Sequence, residues 1–467
     1  MFIGRKMELE ELEKQYRKNV FHFTAVYGRR RVGKTTLIKK FLENKESVYY
    51  MAAETTAKEN LELLSVQIIK VLAPGAPVNP FNSFYEALEY CFTAALKKRF
   101  ILAIDEFPYL AESDRAVSSI LQILIDKYQN NSRLFLILCG SSMSFMENQV
   151  LGYKSPLYGR RNTQFKILPF TYYESAEMLP SFSNEEKTIL YGICGGIPEY
   201  ISRIDKNLSV GKNAEDLFFN PAGRLFEEPS NLLKKELTEP QTYNGIIAAI
   251  ASGASKLNEI ATKTGIETSQ CSNMLVTLKG LGIIKKEYPC TESKPSRKTI
   301  YRLADSMFRF WYRFVLPDYS RISMGLGRIV CSEIFGKQVS GNKIETFMGP
   351  VFEECAIQFL WREMGREKFN FKKMGRWWGS NPKEKREEEI DIMGLENDGE
   401  AMFAECKWKN RKTGNDTLDD LVRKSELFPE LEKKHYMLFS KSEFTSQLAE
   451  IVKQRNDTTL IRLNDLY

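Results

Sequence analysis

The sequence predicts an α/β fold class, in which a parallel sheet is followed by a helical lid, a winged helix-turn-helix and a second α/β domain. Over the first 140 residues, short apolar strands are separated by helices, and the strands show hardly any polar alternation. Strands of that kind are typical of a parallel sheet with helices on both faces. The length of 467 residues provides for about three domains.

The composition excludes several classes of protein. With 43% hydrophobic and 27% charged residues, the chain is neither fibrous nor broadly disordered, and no apolar run reaches the roughly 18 residues of a membrane span. Two histidines are too few for zincin motifs, so we expect carboxylates to bind any metal. Eight cysteines without a CxxC pair and a charged N-terminus predict reduced thiols and a cytoplasmic location. The net charge of +7 permits nucleic-acid binding.

The elements can be assigned in chain order. A polar amphipathic helix comes first, and apolar strands are predicted over 20–27, 47–52, 100–105 and 133–139, with helices between them. Further along, three helices and two short strands around a polar loop give the winged-helix pattern. We place the domains as follows: a core over 1–170, a helical lid over 171–235, a winged helix-turn-helix over 236–305, a helical connector over 306–340 and a second α/β domain over 341–467.

A glycine-rich loop follows the first strand. Residues 28–35 (GRRRVGKT) satisfy GxxxxGK[ST] between an apolar strand and a helix, which is the context of a P-loop. Glycines let backbone N–H groups approach phosphates, Lys34 reaches the β- and γ-phosphates, and the Thr35 hydroxyl ligates Mg²⁺. We therefore predict that ATP and Mg²⁺ bind at Gly28, Arg29, Arg30, Arg31, Val32, Gly33, Lys34, Thr35 and Thr36.

A second motif supplies acidic residues at the end of another apolar strand. The run FILAID is followed by a glutamate, so that Asp105 and Glu106 end the strand. Asp105 is predicted to hold Mg²⁺, directly or through water, and Glu106 to polarise the attacking water. The two motifs together predict nucleotide hydrolysis.

Two further polar pairs leave alternatives open. Ser141 and Ser142 end the next apolar strand, where they either report the γ-phosphate or simply terminate the strand. Arg160 and Arg161 either supply positive charge to the transition state, in cis or to a neighbouring subunit, or are a solvated pair.

Five segments together resemble one family: FIGRKMELEELEK, GRRRVGKTT, FILAIDEFPYL, SPLYGRR and GGIPEY are similar to those of archaeal and bacterial P-loop ATPases of the STAND/AAA+-like type, over roughly residues 1–235. Many such proteins carry a winged helix and a C-terminal domain of uncertain function. The resemblance implies an adenine pocket bordered by Ile3, Gly4 and Arg5, a base or sugar contact at Pro198, a sensor at Ser142 and an arginine finger at Arg160.

Carboxylates and a lysine also recur in the last domain. The strands EIDIM and ECK are joined by a tight turn at Asp398-Gly399, so Asp391 and Glu405 can reach one end of a sheet. Because side chains alternate along a strand, Glu405 and Lys407 share a face. Two carboxylates can hold Mg²⁺ while a lysine orients water, which predicts metal-dependent phosphodiester hydrolysis. A solvated hairpin with alternating charges would look similar.

This arrangement resembles the PD-(D/E)xK nuclease superfamily, in which a helix glutamate precedes the two strands. The resemblance implies that Glu353, with Glu354 as the alternative, is that glutamate, and that residues 341–467 have a restriction-endonuclease-like fold. The nearby Trp377 and Trp378 either stack on nucleotides or fold a loop over the site.

The three motif sets predict one function with an alternative. In the winged helix, polar and basic side chains occur where DNA would lie: Thr268, Ser269, Gln270, Asn273, Lys294, Arg297 and Lys298. We predict an ATP-hydrolysing switch coupled to DNA binding and metal-dependent DNA cleavage, with DNA as partner and no membrane contact; homo-oligomerisation on ATP binding is left open. The alternative is a non-cleaving regulator in which ATP controls binding to DNA or protein.

Overall fold

The computed structural model describes residues 2–77, 79–336, 343–364, 371–396 and 399–467. They group into two compact units, Met1–Pro169 and Phe170–Tyr467. All eight cysteines are unbonded, and all except the half-buried Cys406 are buried. No helix in the described ranges combines the length and the apolar character needed to cross a membrane.

The first unit contains the predicted parallel sheet, and the sheet has five strands. Its strands pair in the order β2-β3-β4-β1-β5, and every pairing is parallel. All residues of the three central strands are buried, which explains why they lack polar alternation. The edge strand β5 alternates between half-buried and exposed residues and was not predicted. The strands are β1 (His22–Tyr27), β2 (Ser47–Met51), β3 (Ile101–Asp105), β4 (Phe135–Gly140) and β5 (Thr163–Lys166).

Helices connect these strands. Side-chain hydroxyls start two of them, because Thr56 accepts from the backbone N–H of Glu59 and Ser83 accepts from that of Glu86. A π-helical turn over Met146–Val150 continues the last one. The helices are α1 (Lys6–Arg17), α2 (Lys34–Leu42), α3 (Ala57–Leu72), α4 (Phe84–Lys97), α5 (Phe107–Ser113), α6 (Ala116–Tyr128) and α7 (Met143–Phe145).

The second unit begins with helices. Capping boxes at Thr171 and Ser183 start the first two. The segment predicted as a helical lid is helical, and three further helices and a two-stranded antiparallel sheet follow it. The elements are α8 (Tyr172–Glu177), α9 (Asn184–Cys194), α10 (Pro198–Ile201), α11 (Val210–Phe218), α12 (Glu228–Glu236), α13 (Pro240–Ala251), α14 (Leu257–Thr264), α15 (Thr268–Gly280), β6 (Ile284–Glu287) and β7 (Ile300–Leu303).

The aromatic segment that follows is a buried, irregular helical stretch. Phe310 packs edge-on against Phe218 at a centroid distance of 4.9 Å, and the Trp311 indole N–H donates to the Phe226 carbonyl at 2.6 Å. These contacts join the segment to the preceding helices of the second unit. Its regular parts are α16 (Ser306–Phe310), α17 (Tyr319–Arg321) and α18 (Gly327–Phe335), with π-helical turns over Trp311–Val315 and Ile322–Leu326 and a 3₁₀ turn over Leu316–Asp318.

A mixed five-stranded sheet forms the end of the chain. Its order is β12-β11-β10-β9-β8; β8, β9 and β10 pair antiparallel, and β10, β11 and β12 pair parallel. The sheet follows one long helix, and two further helices connect its parallel strands. The elements are α19 (Lys343–Glu363), β8 (Lys373–Asn381), β9 (Arg386–Leu395), β10 (Glu400–Lys407), α20 (Asn415–Ser425), β11 (Lys433–Ser440), α21 (Ser446–Lys453) and β12 (Thr458–Arg462).

Two details of the predicted hairpin can be compared with this sheet. The strands around Asp391 and Glu405 do form an antiparallel pair, β9 and β10. At the predicted turn, Gly399 has a φ of +72°, whereas Asp398 lies outside the described residues. Trp377 lies on β8 in the hydrophobic core, 4.9 Å from Phe428 between ring centroids, so it is not part of a loop over the site.

Candidate functional site

The P-loop connects β1 to α2 in a conformation that requires glycine. Gly28 has a φ of +152°, and a Cβ there would lie 2.3 Å from the carbonyl oxygen of Ile167. Gly33, with a φ of +92°, caps the N-terminus of α2. The other predicted phosphate-binding residues lie in the same loop and in the first turn of α2: Arg29, Arg30, Arg31, Val32 and Thr36.

Lys34 is bound by the loop itself. Its Nζ donates to the carbonyl oxygens of Gly28 at 2.9 Å and of Arg29 at 3.0 Å, and the residue is only 6% exposed. Burial lowers the pKa of the Lys34 ammonium, because burial penalises the charged form. A phosphate group that approached the loop would therefore find a partly desolvated cation already in position.

Thr35 and Asp105 face each other from opposite motifs. β4 separates β1 from β3 in the sheet, yet the Thr35 hydroxyl donates to Asp105 Oδ2 at 2.7 Å. Tyr49, on β2, donates its hydroxyl to the same oxygen at 2.9 Å. A hydroxyl and a fully buried carboxylate are suitable ligands for Mg²⁺, so these residues fit the predicted metal site. Tyr49 was missed because only the pairing of β2 with β3 places it beside Asp105.

Glu106 is held by a serine from the neighbouring strand. It has a φ of +50°, and its Oε2 accepts from the Ser141 hydroxyl at 2.8 Å and from the Ser141 backbone N–H at 3.3 Å. Ser142, the predicted sensor, begins α7 without a side-chain hydrogen bond at the cap. Of the two serines, Ser141 therefore contacts the predicted catalytic carboxylate.

The N-terminal segment contacts the P-loop through an arginine. Arg5 is 6% exposed, and its guanidinium donates to the Val32 carbonyl at 2.9 Å and to the Leu168 carbonyl. Gly4 and Arg5 both have positive φ values, 65° and 56°, so the chain turns sharply before α1. Ile3 is half-buried. Pro198 begins α10 in the second unit.

Arg160, the predicted finger, is engaged by an aspartate of the same unit. Its Nε and Nη2 donate to the two carboxylate oxygens of Asp126, at 2.8 and 2.6 Å, and Nη1 donates to the Pro156 carbonyl. The side chain remains 24% exposed. Arg160 is therefore not a freely solvated side chain, and it would have to leave Asp126 to reach a phosphate.

If Arg160 is a finger, we expect two substitutions to have opposite effects on turnover. Arg160→Ala should slow ATP hydrolysis at least about tenfold with little change in ATP affinity, since a finger acts in the transition state. Asp126→Asn should release the guanidinium and raise turnover. Steady-state ATPase assays with both variants test this. Unchanged turnover in both would mean that the pair has only a structural role.

The second predicted site lies where α19, β9 and β10 meet. Asp391 Oδ2 accepts from the backbone N–H of Cys406 at 2.9 Å, which fixes the two strands at this point. On β10, Lys407 Nζ lies 2.5 Å from Glu405 Oε1. Glu353 on α19 is close enough that its carboxylate and that of Asp391 interact electrostatically. The structure thus brings together the four residues singled out in the sequence.

Cations from other elements hold these carboxylates. Lys424 Nζ, from α20, lies 3.6 Å from Glu405 Oε2, and Arg376 Nε, from β8, lies 3.4 Å from Glu353 Oε2. Lys424 and Arg376 were missed because neither lies in a motif; the sheet order and the packing of α20 place them here. In the described ranges, no three histidine, cysteine, aspartate or glutamate side chains are arranged closely enough to hold a metal ion.

The electrostatics nevertheless favour additional positive charge. Burial, followed by the Asp391 carboxylate, raises the pKa of Glu353. Burial, followed by the Glu405 carboxylate, raises the pKa of Asp391, although Lys407 opposes that shift. Glu405 is 8% exposed, and its Oε2 is buried and accepts no hydrogen bond. The carboxylates of this centre are thus buried and repel one another, and a divalent cation between Asp391 and Glu405 would relieve that repulsion.

Glu354, the alternative to Glu353, has different surroundings. Its carboxylate pairs with Arg309 at 2.9 Å and with Lys285 at 3.4 Å. Burial pushes the pKa of Glu354 up, but these two cations outweigh it and leave the pKa below its ordinary value. Glu354 therefore has the contacts of a structural ion pair, whereas Glu353 is the glutamate that interacts with Asp391.

The polar residues predicted to contact DNA lie on the surface. Glu267 caps α15 by accepting from the backbone N–H groups of Ser269 and Gln270. The loop between β6 and β7 packs against the last sheet, where Lys373 on β8 donates to the Glu292 carbonyl. All seven predicted contact residues are exposed: Thr268, Ser269, Gln270, Asn273, Lys294, Arg297 and Lys298.

Comparisons with known proteins agree with the first site. Residues 2–204 match a family described as an ATPase domain predominantly from Archaea, and residues 311–417 match one described as archaeal and bacterial proteins of unknown function. An uncharacterized protein of Methanocaldococcus jannaschii, MJECL04, is 35% identical over 91% of this chain and 92% of its own length. An uncharacterized ATP-binding protein of that organism, MJ0423, is 61% identical over 46 residues, which are 10% of this chain and 78% of its own.

Two solved archaeal structures also align with this chain. The Walker-type ATPase paby2304 of Pyrococcus abyssi aligns with 67% of this chain and 96% of its own, at 21% identity and a TM-score of 0.49. The ORC2 protein of Aeropyrum pernix, solved as ADPNP and ADP complexes, aligns with 69% of this chain and 95% of its own, at 15% identity and a TM-score of 0.42.

Proposed function

This chain is an ATPase of the family that includes MJECL04, with an N-terminal ATPase domain predominantly found in Archaea, and from that premise we propose that its second unit binds DNA and cleaves it with a divalent metal. ATP hydrolysis in the first unit would control that activity. The observation that carries the proposal is the meeting of Glu353, Asp391, Glu405 and Lys407 on three elements.

The residues of this site have separable roles in the proposed reaction. Asp391 and Glu405 would hold Mg²⁺, which when bound supplies a polarised water and stabilises charge on the phosphate. Glu353 would add a third carboxylate beside Asp391. Lys407 shares a face of β10 with Glu405 and would orient the attacking water or stabilise the negative charge that develops on the phosphate. The Asp391 contact with the Cys406 backbone keeps the two strands in register during the reaction.

DNA contact is assigned to the helices and hairpin that precede this site. Three helices followed by an antiparallel hairpin, α13 to β7, have the element order of a winged helix-turn-helix. The exposed polar residues at the start of α15 support groove contact, and the exposed cations between β6 and β7 support phosphate contact. Residues 236–305 would then deliver DNA to the last domain, residues 341–467.

The test is DNA cleavage with Mg²⁺ or Mn²⁺, with and without ATP, on linear, supercoiled, branched and single-stranded substrates. We expect cleavage by the wild type, none by Asp391→Asn, and equal ATP hydrolysis by both. Asp419→Asn is the matched control, because Asp419 is an exposed carboxylate on α20. Cleavage that persists in Asp391→Asn would contradict the assignment of this site.

A second candidate function has its own supporting observation. Two of the three carboxylates of the centre are already paired with cations of the chain: Glu405 with Lys407 and Lys424, and Glu353 with Arg376. A binding module that no longer cleaves could keep these ion pairs for stability. DNA binding that depends on ATP, with no cleavage by the wild type under any of the above conditions, would favour this non-cleaving regulator.

A further inference from the structure

A cationic loop lies beside the carboxylate centre. Residues 408–414 connect the end of β10 to α20, and this loop contains Lys409, Arg411 and Lys412. All three side chains are exposed, and within the described part of the chain none of them forms an ion pair or a hydrogen bond. Three unneutralised cations within four positions create a local positive potential next to Glu405 and Lys407.

The loop is nevertheless held firmly at the residues between these cations. Asn410 donates to Glu345 on α19 and accepts from Lys441 Nζ at 2.6 Å. Thr413 is 6% exposed, and its hydroxyl is 2.7 Å from that of Ser440 at the end of β11. The loop backbone is thus ordered without a ligand, so a ligand that bound the cations would not have to meet the entropic cost of ordering it.

The loop is one wall of a cavity of about 500 Å³. Glu405 and Lys407 lie on another wall, and the buried Glu405 Oε2 has no hydrogen-bond partner. The first turn of α20 is at the third wall, where Gly414 is the N-cap and no side chain caps the helix. Cations, a helix N-terminus and the carboxylate centre therefore share one cavity.

The net charge of the residues that line the cavity remains positive when the carboxylates among them are counted. Asp420 pairs with Arg423 at 2.7 Å and with Lys424 at 3.0 Å, and Glu405 pairs with Lys407. Asp416 is the remaining carboxylate among the lining residues, against the three unpaired cations of the loop. A linear chain of phosphates carries several negative charges in a row, so it matches this excess of positive charge better than a single small anion does.

We propose that this cavity binds the phosphodiester backbone of a nucleic acid, with Lys409, Arg411 and Lys412 contacting phosphates next to the bond presented to Glu405 and Lys407. This inference rests on the function proposed above for the second unit and adds where its substrate binds. The loop supplies affinity, and the carboxylate centre supplies the chemistry.

The experiment measures binding in the Asp391→Asn background, so that cleavage does not consume the substrate. A short labelled DNA duplex is titrated over a series of salt concentrations against the parent and the triple variant Lys409→Ala, Arg411→Ala, Lys412→Ala. We expect binding to weaken at least about tenfold and the log–log salt slope to fall by about 2.7, or about 0.9 for each lost phosphate contact. The matched control is Lys206→Ala, Lys433→Ala, Lys453→Ala, which removes three exposed lysines elsewhere.

The outcomes separate this proposal from that of cleavage. A slope that is unchanged in the loop variant, or that falls equally in the control, overturns the phosphate subsite even if the wild type cleaves DNA. A loop-dependent slope supports it even if the wild type cleaves nothing. Absence of binding to both DNA and RNA by the parent overturns it, as does competition by inorganic phosphate at the same concentration as the duplex. Equal loop-dependent binding of RNA supports a site for either backbone.

Discussion

Lys34→Met is expected to abolish the response of this ATPase to nucleotide without destabilising the nucleotide-free protein. The ammonium donates to two loop carbonyls in a buried position, and burial lowers its pKa, so its charge opposes folding until phosphate arrives. Each lost charge-assisted hydrogen bond to phosphate should weaken ATP binding about tenfold to a hundredfold. The rate of hydrolysis should fall further than the affinity for ATP. Negative charge develops on the phosphate oxygens in the transition state, and the Lys34 ammonium stabilises it more strongly there than in the bound ATP.

Thermal unfolding with and without Mg²⁺–ATP measures both parts of this prediction. The wild type should gain thermal stability when ATP is added, whereas Lys34→Met should have an equal or higher Tm without ATP and gain nothing from it. Lys40→Ala is the control, since Lys40 lies on the same helix and its ion pair among the described residues is with the exposed Glu43. An ATP-induced shift of wild-type size in Lys34→Met would show that phosphates bind elsewhere.

The first unit was predictable because its signals are local. The GRRRVGKT loop lies between a strand and a helix, so one stretch of sequence determines both the motif and its context. The acids after FILAID follow from the same reasoning, because the strand is buried throughout. Tyr49 and the choice of Ser141 over Ser142 could not be predicted, since both depend on which strands are neighbours in the sheet.

The second unit was predictable only in part. The β9–β10 hairpin and its acids follow from alternation and a turn, but β8, β11 and β12 were not predicted. Segment 373–381 contains a lysine, an arginine and two glycines around its two tryptophans, a composition that does not indicate a strand. Lys424 and Arg376 reach the carboxylates through helix packing and sheet order, which a single sequence does not encode in any short motif.

Adjacent glutamates on α19 should respond to the same substitution in opposite ways. Glu353→Gln removes a carboxylate whose pKa is raised by burial and then by Asp391, so it relieves repulsion and should leave the free energy of unfolding equal or higher. If Glu353 acts in the proposed cleavage together with Asp391, DNA cleavage should fall at least about a hundredfold, since a lost charge-stabilising contact costs about 10²–10³ in rate.

Glu354→Gln should instead destabilise the protein by about 3 kcal/mol, because it leaves Arg309, which is 16% exposed, without its charged partner. Its residual folded fraction should cleave DNA at a rate close to that of the wild type. Chemical unfolding and cleavage assays on both variants therefore separate a residue of the cleavage site from an ion-pair partner one residue away. If Glu354→Gln lost cleavage at full stability while Glu353→Gln retained it, the two roles would be reversed, and the geometry at Asp391 would no longer identify the site.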